Sequence, residues 1–442
     1  MKQRPFGPVI RVEVERAMPP VVRELLQREL RFEDAGQVST LGAADIYDAP
    51  GPVDLGGLRD IADVPLAELH YPVFRPAAPL EDGRPVFDVL AERDVLVHHP
   101  YDAFETTVQR FFAEAADDPD VQAIKLTLYR SGGRSPIVDA LVRAAAAGKE
   151  VAVFVELKAR FDEERNIEWA KKLEQAGIHV VYGLVRLKAH AKTALVVRRE
   201  AAGIRRYVHI GTGNYNAATA RVYTDLGLLS AEEALGADLN DLFNELTGSS
   251  RPPQTPSRRL LVAPTHMLRR FIELIDREAA HARSGRDARI RVKLNGLADT
   301  EIIAALYRAA QAGVEIDLSV RGICALRPGV PGLSERIRVI SSLGRFLEHA
   351  RIFAFANGGD HEYYIGSADW RPRNLRRRVE VVTPVSDLAC RARLEQILAT
   401  EWADPTAWEL DADGSYRRRT AAPSADGRSA QERLIGLGPG LV

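Results

Sequence analysis

Short apolar runs alternate with amphipathic segments from residue 95 onward. The apolar runs predict strands at residues 95–97, 124–129, 151–157 and 178–182. The amphipathic or alanine-rich segments predict helices at residues 103–115, 137–147 and 166–176, and a glycine that can end the helix follows the last two. Strands that alternate with helices of this length predict βαβ units and an α/β fold with a mainly parallel sheet.

One of these helices recurs later in the chain. Residues 137–151 align without gaps with residues 302–316, an offset of 165 residues, and a similar strand precedes each copy. A His-Ala-basic triplet follows each copy, at 190–192 and 349–351, and an Ile-Gly-hydroxyl sequence follows each triplet. Because the same features occur twice in the same order, we predict two copies of one α/β unit.

Proline-rich and polar segments indicate the domain boundaries. A linker at residues 251–256 separates the two copies, which we place at residues 77–256 and 257–410. Prolines break much of the segment before residue 77 into short pieces, so it is interpreted as the end of a preceding domain. Residues 411–442 are polar, and we expect a disordered tail there.

The composition excludes several classes of protein. The 442 residues include 60 Lys+Arg and 61 Asp+Glu, a balance that argues against nucleic-acid binding, although an average does not locate the charges. No apolar stretch reaches the roughly 20 residues that a membrane span needs. Two cysteines cannot form a disulfide scaffold or a four-cysteine zinc site. We therefore expect a reduced cytoplasmic protein, with peripheral membrane association left open.

The repeated triplets carry the candidate catalytic groups. His190 and Lys192 in the first copy share one face of a strand, as do His349 and a basic residue in the second. Two facing imidazoles suit in-line phosphoryl transfer, one as nucleophile and the other as acid or base. Asp225 and Glu380 each follow the glycine of an Ile-Gly-hydroxyl sequence by 14 residues. A carboxylate that binds the far ring nitrogen leaves the near nitrogen free to attack.

Arginines lie near the expected carboxyl ends of the strands, where open parallel sheets bind ligands. Arg130 and Arg160 follow strands of the first copy, and Arg321 ends a strand of the second. Five more arginines lie between residues 371 and 378, including Arg376 and Arg377. Because guanidinium groups bind phosphate oxygens in pairs, these residues predict the wall of an anion-binding tunnel.

Longer motifs extend this pattern through both copies. They are YRSGGRSPI (129–137), VELKARFDEERNI (155–167), LKAHAK (187–192), HIGTGNYN (209–216), VYTDLGLL (222–229), VRGIC (320–324), LEHARIF (347–353), NGGD (357–360) and YIGSADWRPRNLRRRVEV (364–381). Together they resemble polyphosphate kinases of the first type, a family with two phospholipase-D-like α/β domains related by duplication. The resemblance covers about residues 77–405, and the preceding segment resembles the end of that family's head domain.

The resemblance implies a reaction and roles for its residues. The implied reaction is reversible transfer of the ATP γ-phosphoryl group to inorganic polyphosphate, with ATP or ADP as the nucleotide partner. His190 matches the histidine that becomes phosphorylated, and His349 matches the second active-site histidine. Asp225 and Glu380 match their orienting carboxylates, and Lys192 belongs to the same catalytic motif.

The resemblance also implies binding residues, a metal and an assembly. Tyr223, Arg321 and His349 match nucleotide-contacting positions, and the further candidates for binding ATP or phosphate are Asn214, Arg376 and Arg377. Arg130 and Arg160 match positions of a Mg²⁺ site. A guanidinium group has no lone pair to offer a metal, so we expect these two residues to bind phosphate oxygens that share the ion. The full-length family implies a homo-oligomer, either a dimer or a tetramer.

Two other functions stay open at this stage. A phospholipase-D-like phosphodiesterase would use the same pair of histidines, but Arg351 stands where that family expects lysine. A non-catalytic polyphosphate-binding product is the other alternative, because the family's N-terminal domain and most of its head domain are missing from this sequence. The arginines at the strand ends favour a polyanionic ligand over a general phosphodiester.

Overall fold

The structure is a computed structural model. It describes all residues except 1–8, 31, 35–36, 40, 52, 81–82, 130–134, 157–162, 185–186, 249–252, 255–256, 420–426 and 437–442. The chain divides into two compact units, Met1–Val73 and Phe74–Val442. Among the described residues, no helix combines the length and the apolar character needed to cross a bilayer.

The first unit is small and built from short elements. Its elements are β1 (Val12–Glu15), α1 (Pro20–Glu29), β2 (Phe32–Asp34), β3 (Gln37–Ser39), β4 (Ile46–Ala49) and α2 (Leu58–Ala62). Strand β1 pairs in parallel with β4, and β2 pairs antiparallel with β3. Pro20 begins α1, where its fixed φ suits the first helical turn.

The second unit contains both copies of the repeat, which we call the first half (77–256) and the second half (from 257). The elements of the first half are α3 (Val86–Glu92), β5 (Val95–His99), α4 (Arg110–Asp117), β6 (Val121–Leu128), α5 (Pro136–Ala146), β7 (Glu150–Val155), α6 (Glu163–Gln175), β8 (His179–Tyr182), β9 (Lys188–Ala189), β10 (Lys192–Glu200), β11 (Gly203–Gly211), α7 (Ala217–Ala220), β12 (Tyr223–Ser230) and α8 (Glu233–Phe243). One turn of π-helix, Glu105–Gln109, leads into α4.

The second half repeats this arrangement with different connections. Its elements are β13 (Leu261–Ala263), α9 (Met267–Arg283), β14 (Arg289–Leu294), α10 (Thr300–Gln311), β15 (Glu315–Val320), β16 (Ile337–Ser341), β17 (Leu347–Glu348), β18 (Ile352–Phe355), β19 (Glu362–Gly366), α11 (Pro372–Arg376), β20 (Arg378–Val385), α12 (Leu388–Trp402), β21 (Trp408–Leu410), β22 (Tyr416–Arg418) and α13 (Ala430–Gly436). The two α/β units predicted from the repeat are therefore confirmed.

The repeated helix begins and ends as its sequence predicts. In α5, Ser135 accepts a hydrogen bond from the first turn and Pro136 begins the helix. In α10, Asp299 caps the first turn in the same way. Gly148 and Gly313 follow the two helices with φ of 83° and 104°, a conformation that glycine adopts without strain.

The sheets are mixed, and the prediction of a mainly parallel sheet is wrong. One sheet has the order β17-β12-β11-β10-β6-β7-β8, and the other has the order β13-β20-β19-β18-β14-β15-β16-β21-β22. The helix-connected strands β6, β7 and β8 are parallel, as are β14, β15 and β16. The chain then returns through the hairpins β10–β11 and β18–β19, which need no helical crossover and make the remaining pairs largely antiparallel.

Three buried apolar clusters stabilise the second unit. One lies within each half, and the third joins the two halves through the faces of their sheets. The joining cluster includes Leu195, Val208 and Leu226 of the first half and Ile352, Ile365 and Val381 of the second. Because apolar burial drives association of the two sheets, the halves form one body around the residues described below.

The C-terminal segment contains ordered elements, so the prediction of a disordered tail over 411–442 is wrong for its described residues. Strand β22 pairs with β21 and extends the second sheet. Helix α13 buries Ala430 and Gln431. The polar composition of the tail concealed this order because the amide of Gln431 is buried with hydrogen-bond partners, an arrangement that hydropathy does not reveal.

Candidate active site

Two short strands cross between the halves, and each ends one residue before a candidate histidine. Strand β9 of the first half pairs in parallel with β20 of the second half, and β17 of the second half pairs in parallel with β12 of the first. Continued by one residue, these registers bring His190 alongside Glu380 and His349 alongside Asp225. Each histidine therefore meets the carboxylate of the opposite half.

The first histidine–carboxylate pair is held by hydrogen bonds on both sides. Nδ1 of His190 donates to Oε2 of Glu380 at 2.9 Å, and the backbone N–H of His190 donates to the carbonyl of Val379 at 2.9 Å. Ser367 Oγ and Asn374 Nδ2 donate to Glu380 at 2.5 and 2.6 Å. Because a carboxylate only accepts, the proton lies on Nδ1 and the lone pair on Nε2 of His190.

The second pair has the same construction. Nδ1 of His349 lies 2.8 and 3.0 Å from the two carboxylate oxygens of Asp225, and Thr212 Oγ1 donates to Asp225 at 2.6 Å. A Cβ at Gly213 would lie 2.3 Å from Asp225 Oδ2, so this position requires glycine. The hydroxyl of each Ile-Gly-hydroxyl sequence thus orients the carboxylate that follows it.

A tyrosine stands beside each histidine. The ring centroids of Tyr129 and His190 are 5.1 Å apart, and those of Tyr223 and His349 are 5.4 Å apart. The ammonium groups of Lys188 and Lys192 lie 5.2 and 4.9 Å from the Tyr129 ring centroid. Sequence reasoning assigned no role to Tyr129, although it begins the motif YRSGGRSPI and follows β6, at the strand end where a ligand is expected.

The two basic residues of the triplets differ in their partners. Arg351 donates to both carboxylate oxygens of Asp369 at 3.1 and 3.3 Å, and to the carbonyl of His349 at 2.7 Å. Lys192 donates to the carbonyl of His190, and no described carboxylate forms an ion pair with it. In the repeat, Asn214 occupies the position of Asp369. The Oδ1 atom of Asn214 is enclosed and has no hydrogen-bond partner among the described residues.

Burial and neighbouring cations keep both imidazoles neutral. Burial, followed by the charges of Lys192, Arg378 and Arg351, lowers the pKa of His190 well below 6.5. Burial also lowers the pKa of His349, and it outweighs the opposing effect of Asp225. Since charges of the second half act on His190, the groups of both halves share one pocket. A neutral imidazole with a fixed Nδ1–H can act as a nucleophile through Nε2.

The pKa values of the basic groups follow the same asymmetry. Burial lowers the pKa of Lys192 to about 7. Burial also acts to lower the pKa of Arg351, but Asp369 outweighs it and raises that pKa. Arg351 in turn outweighs burial at Asp369 and holds its pKa at about 2. Arg351 therefore forms a direct ion pair, whereas the largest carboxylate effect on Lys192 is that of Glu380, which does not outweigh burial.

Arg321 is held next to the second histidine by a residue that sequence reasoning missed. Arg321 Nε donates to Asn295 Oδ1 at 2.7 Å, and Asn295 Nδ2 donates to the carbonyl of His349 at 2.9 Å. The repeat could have revealed Asn295 from the sequence, because Asn295 follows β14 at the position that Thr127 occupies in β6. Thr127 Oγ1 likewise donates to the carbonyl of Ala191, next to the first histidine, at 2.9 Å.

The arginines between 371 and 378 do not act as one group. Arg376 pairs with Asp299 and, at 2.6 Å, with Glu301, and its binding of phosphate stays a prediction. Asp299 is buried at the start of α10 and needs this counter-charge. Arg377 is exposed, and Arg378 lies 3.8 Å from Glu380. Arg378 therefore reaches the histidine pocket, where its charge acts on His190.

The predicted magnesium site lies outside what the structure describes. Arg130 and Arg160 both fall on residues that are not described. Among the described residues, no group of three or more His, Cys, Asp or Glu side chains could hold a metal ion. Asp225 and Glu380 are already engaged by a histidine and a hydroxyl group. The magnesium site therefore stays a prediction.

Comparisons with known proteins agree with the division into two domains. The family model for polyphosphate kinase C-terminal domain 1 matches residues 85–252, and that for C-terminal domain 2 matches residues 260–431. A polyphosphate kinase of Thermosynechococcus vestitus is 51% identical over 98% of this chain and 62% of its own length. One from Streptomyces coelicolor is 52% identical over 98% of this chain and 58% of its own length. The chain thus spans about three fifths of these relatives.

Solved structures lead to the same family. The crystal structure of polyphosphate kinase from Porphyromonas gingivalis matches with a TM-score of 0.85 and 35% identity, over 97% of this chain and 64% of that one. Phosphatidylserine synthase from Haemophilus influenzae matches with a TM-score of 0.52 and 10% identity, over 78% of this chain and 92% of that one, and shares the fold alone. From the two family models and these relatives, the chain belongs to the polyphosphate kinase family.

Proposed function

We propose that this chain transfers a phosphoryl group reversibly between ATP and the end of an inorganic polyphosphate chain through a phosphohistidine on His190. The relatives named polyphosphate kinase support the substrates. The neutral imidazole of His190, with Nδ1–H bound to Glu380, supports the nucleophile.

The charge difference between the halves is the observation that carries the choice of nucleophile. Asp369 neutralises Arg351 beside His349, whereas the equivalent Asn214 leaves Lys192 without a paired carboxylate beside His190. A phosphoryl group in transfer is anionic, so it is stabilised where positive charge is uncompensated. The group should therefore be transferred to His190, and His349 should serve as the acid–base partner.

The proposed reaction has two balanced steps. In the first, Nε2 of His190 forms a bond to the γ-phosphorus while the bond from that phosphorus to the bridging oxygen breaks, and the electron pair leaves on ADP. In the second, a terminal oxygen of polyphosphate attacks the phosphorus, and the electron pair of the N–P bond returns to Nε2. In that second step, Nε2 of His349 accepts the proton of the attacking oxygen where that oxygen is protonated, while its own Nδ1–H stays bound to Asp225.

The nucleotide is proposed to bind on the side of the second histidine. Tyr223 lies beside His349, and Arg321 is fixed by Asn295, which also binds the His349 carbonyl. A fixed guanidinium group can bind two phosphate oxygens at once. Magnesium, the dimeric or tetrameric assembly and the cytoplasmic location stay predictions.

Labelling with γ-labelled ATP tests the proposal. The chain should acquire an acid-labile, alkali-stable label, and His190→Ala should abolish it. His361→Ala is the control, because this half-exposed histidine lies next to Asp287 and takes no part in the pairs described above. A label that persists at the wild-type level in His190→Ala would show that the mechanism is wrong.

The alternatives give different results in two further assays. Hydrolysis of a simple phosphodiester without ATP would favour a phospholipase-D-like phosphodiesterase. Binding of labelled polyphosphate, without formation of ATP from polyphosphate and ADP, would favour a non-catalytic binding protein.

A further inference from the structure

Helix α13 contributes one polar side chain to the interior of the second half. Gln431 is 4% exposed. Its Oε1 accepts a hydrogen bond from the backbone N–H of Phe346 at 2.9 Å. Its Nε2 donates to the Phe346 carbonyl at 2.9 Å and to Oε1 of Glu348 at 2.6 Å. The amide therefore binds the backbone and a side chain of the segment that leads into His349.

That segment, β17, is too short to be held by its own ladder. Its Leu347 N–H donates to the Val222 carbonyl at 2.9 Å. Thr224 Oγ1 donates to Glu348 Oε2 at 2.8 Å and accepts from the backbone N–H of His349 at 3.2 Å. The first half thus binds one side of β17, and Gln431 binds Phe346 just before it and Glu348 at its end.

The side chain of Gln431 packs closely against the backbone at Gly344. A Cβ at Gly344 would lie 2.6 Å from Gln431 Oε1, so only a residue without a side chain permits this approach. The corresponding strand of the first half is anchored differently, because the Ala189 N–H donates to Oε2 of Glu156 at 2.8 Å. The amide of α13 therefore acts on the second histidine alone.

We propose that Gln431 is a positioning residue for His349, which holds β17 in the register that aligns Nδ1 of His349 with Asp225. The inference rests on the proposed function only where it expects an effect on turnover. The geometric part concerns His349 itself and is measured without substrate.

The first test measures the state of His349 by NMR of the ¹⁵N-histidine-labelled chain, with the signal assigned through His349→Gln. In the wild type, one tautomer protonated on Nδ1 should be seen. Gln431→Met keeps the side-chain length and removes the hydrogen bonds. It should give averaged tautomers and a changed titration midpoint, because displacing His349 alters both its contact with Asp225, which raises its pKa, and its burial, which lowers it.

Gly344→Ala should produce the same change by displacing the Gln431 amide while leaving it in the sequence. Glu432→Gln, in an exposed residue of the same helix whose carboxylate binds Ser429, should leave the His349 signal unchanged. If Gln431→Met destabilises the chain too far to be studied, Gly344→Ala supplies the result. An unchanged tautomer and midpoint in either folded variant would overturn the proposal.

The second test separates positioning from substrate binding. In the ATP-forming direction, Gln431→Met should lower kcat about tenfold and leave KM for polyphosphate within about twofold, since misplaced catalytic groups slow the reacting step. A wild-type chain that forms no ATP would contradict the proposed function and leave the NMR comparison intact. An active Gln431→Met with wild-type kcat would contradict the positioning role.

Discussion

Nδ1 of His190 lies 2.9 Å from Oε2 of Glu380, although the two residues are 190 positions apart and belong to different copies of the repeat. The reciprocal contact joins His349 to Asp225 across 124 positions. Each of these two histidines therefore takes its carboxylate from the opposite half. The duplicated units therefore form one site, and the crossing strands β9 and β17 are the elements that join them.

Glu380→Gln tests the importance of the first pair. Glutamine keeps the size of the side chain but loses the charge, and its amide can donate to His190 and favour the unproductive tautomer. We expect the rate of phosphohistidine formation, measured by rapid quench, to fall about a thousandfold. Asp225→Asn should affect the proton-transfer partner and slow turnover while leaving a measurable label on His190. A Glu380→Gln rate within tenfold of wild type would contradict the orienting role.

The repeat revealed the two units but not the pairing of their groups. In each copy a carboxylate follows the glycine at the same distance, and this spacing is the same whether a histidine meets its own carboxylate or that of the other copy. Only the strand register distinguishes the two arrangements, and β9 and β17 contain two residues each. Such short strands carry no periodic pattern that a sequence could display.

Other residues escaped prediction for related reasons. Asn295 and Gln431 are buried polar residues whose hydrogen-bond partners come from other parts of the chain, so hydropathy indicates a surface for both. Arg376 belonged to a run of arginines, and the sequence did not show that buried Asp299 would bind it. The strands and the capped helices were predictable because their signals are local.

Lys192 should set the alkaline limb of the pH profile. Its pKa is about 7, so raising the pH through this value converts it to the neutral amine and removes a positive charge beside His190. We expect kcat/KM for polyphosphate to fall above about pH 7, because this parameter reports the free enzyme. Lys192→Arg should remove that limb, since guanidinium stays charged. Lys188→Arg is the control, and an unchanged profile in Lys192→Arg would exclude Lys192 as the titrating group.

Asn214→Asp tests the charge asymmetry between the halves. A carboxylate at this position reproduces the Asp369–Arg351 arrangement in the first half and should raise the pKa of Lys192. The alkaline limb should move upward, and KM for polyphosphate should rise about tenfold as the local positive charge is neutralised. Asn216→Asp adds the same charge two residues away at the cap of α7, where a carboxylate also serves. If both variants changed the alkaline limb and the KM for polyphosphate equally, the added net charge alone, and not its position at residue 214, would explain the result.

Asp369→Asn should change the stability of the chain and its dependence on pH. The pKa of Asp369 is about 2 in the folded chain against 3.8 ordinarily, so the folded state favours the carboxylate. Its contribution to the free energy of unfolding is fully present above about pH 4 and is lost as the pH falls toward 2, a total of about 2 kcal/mol. At neutral pH, Asp369→Asn leaves Arg351 buried without its partner and should cost about 3 kcal/mol.

Urea denaturation at several pH values should show both the cost of Asp369→Asn at neutral pH and the pH dependence of the Asp369 contribution. The difference in the free energy of unfolding between wild type and Asp369→Asn should narrow by about 1 kcal/mol between about pH 5 and pH 3, because only the wild type has a carboxylate here that takes up a proton on unfolding. Asp360→Asn, in an exposed residue of the β18–β19 turn, is the matched control and should follow the wild type. A difference that stays constant with pH would show that Asp369 acts through packing and hydrogen bonds, and that its charge does not hold Arg351.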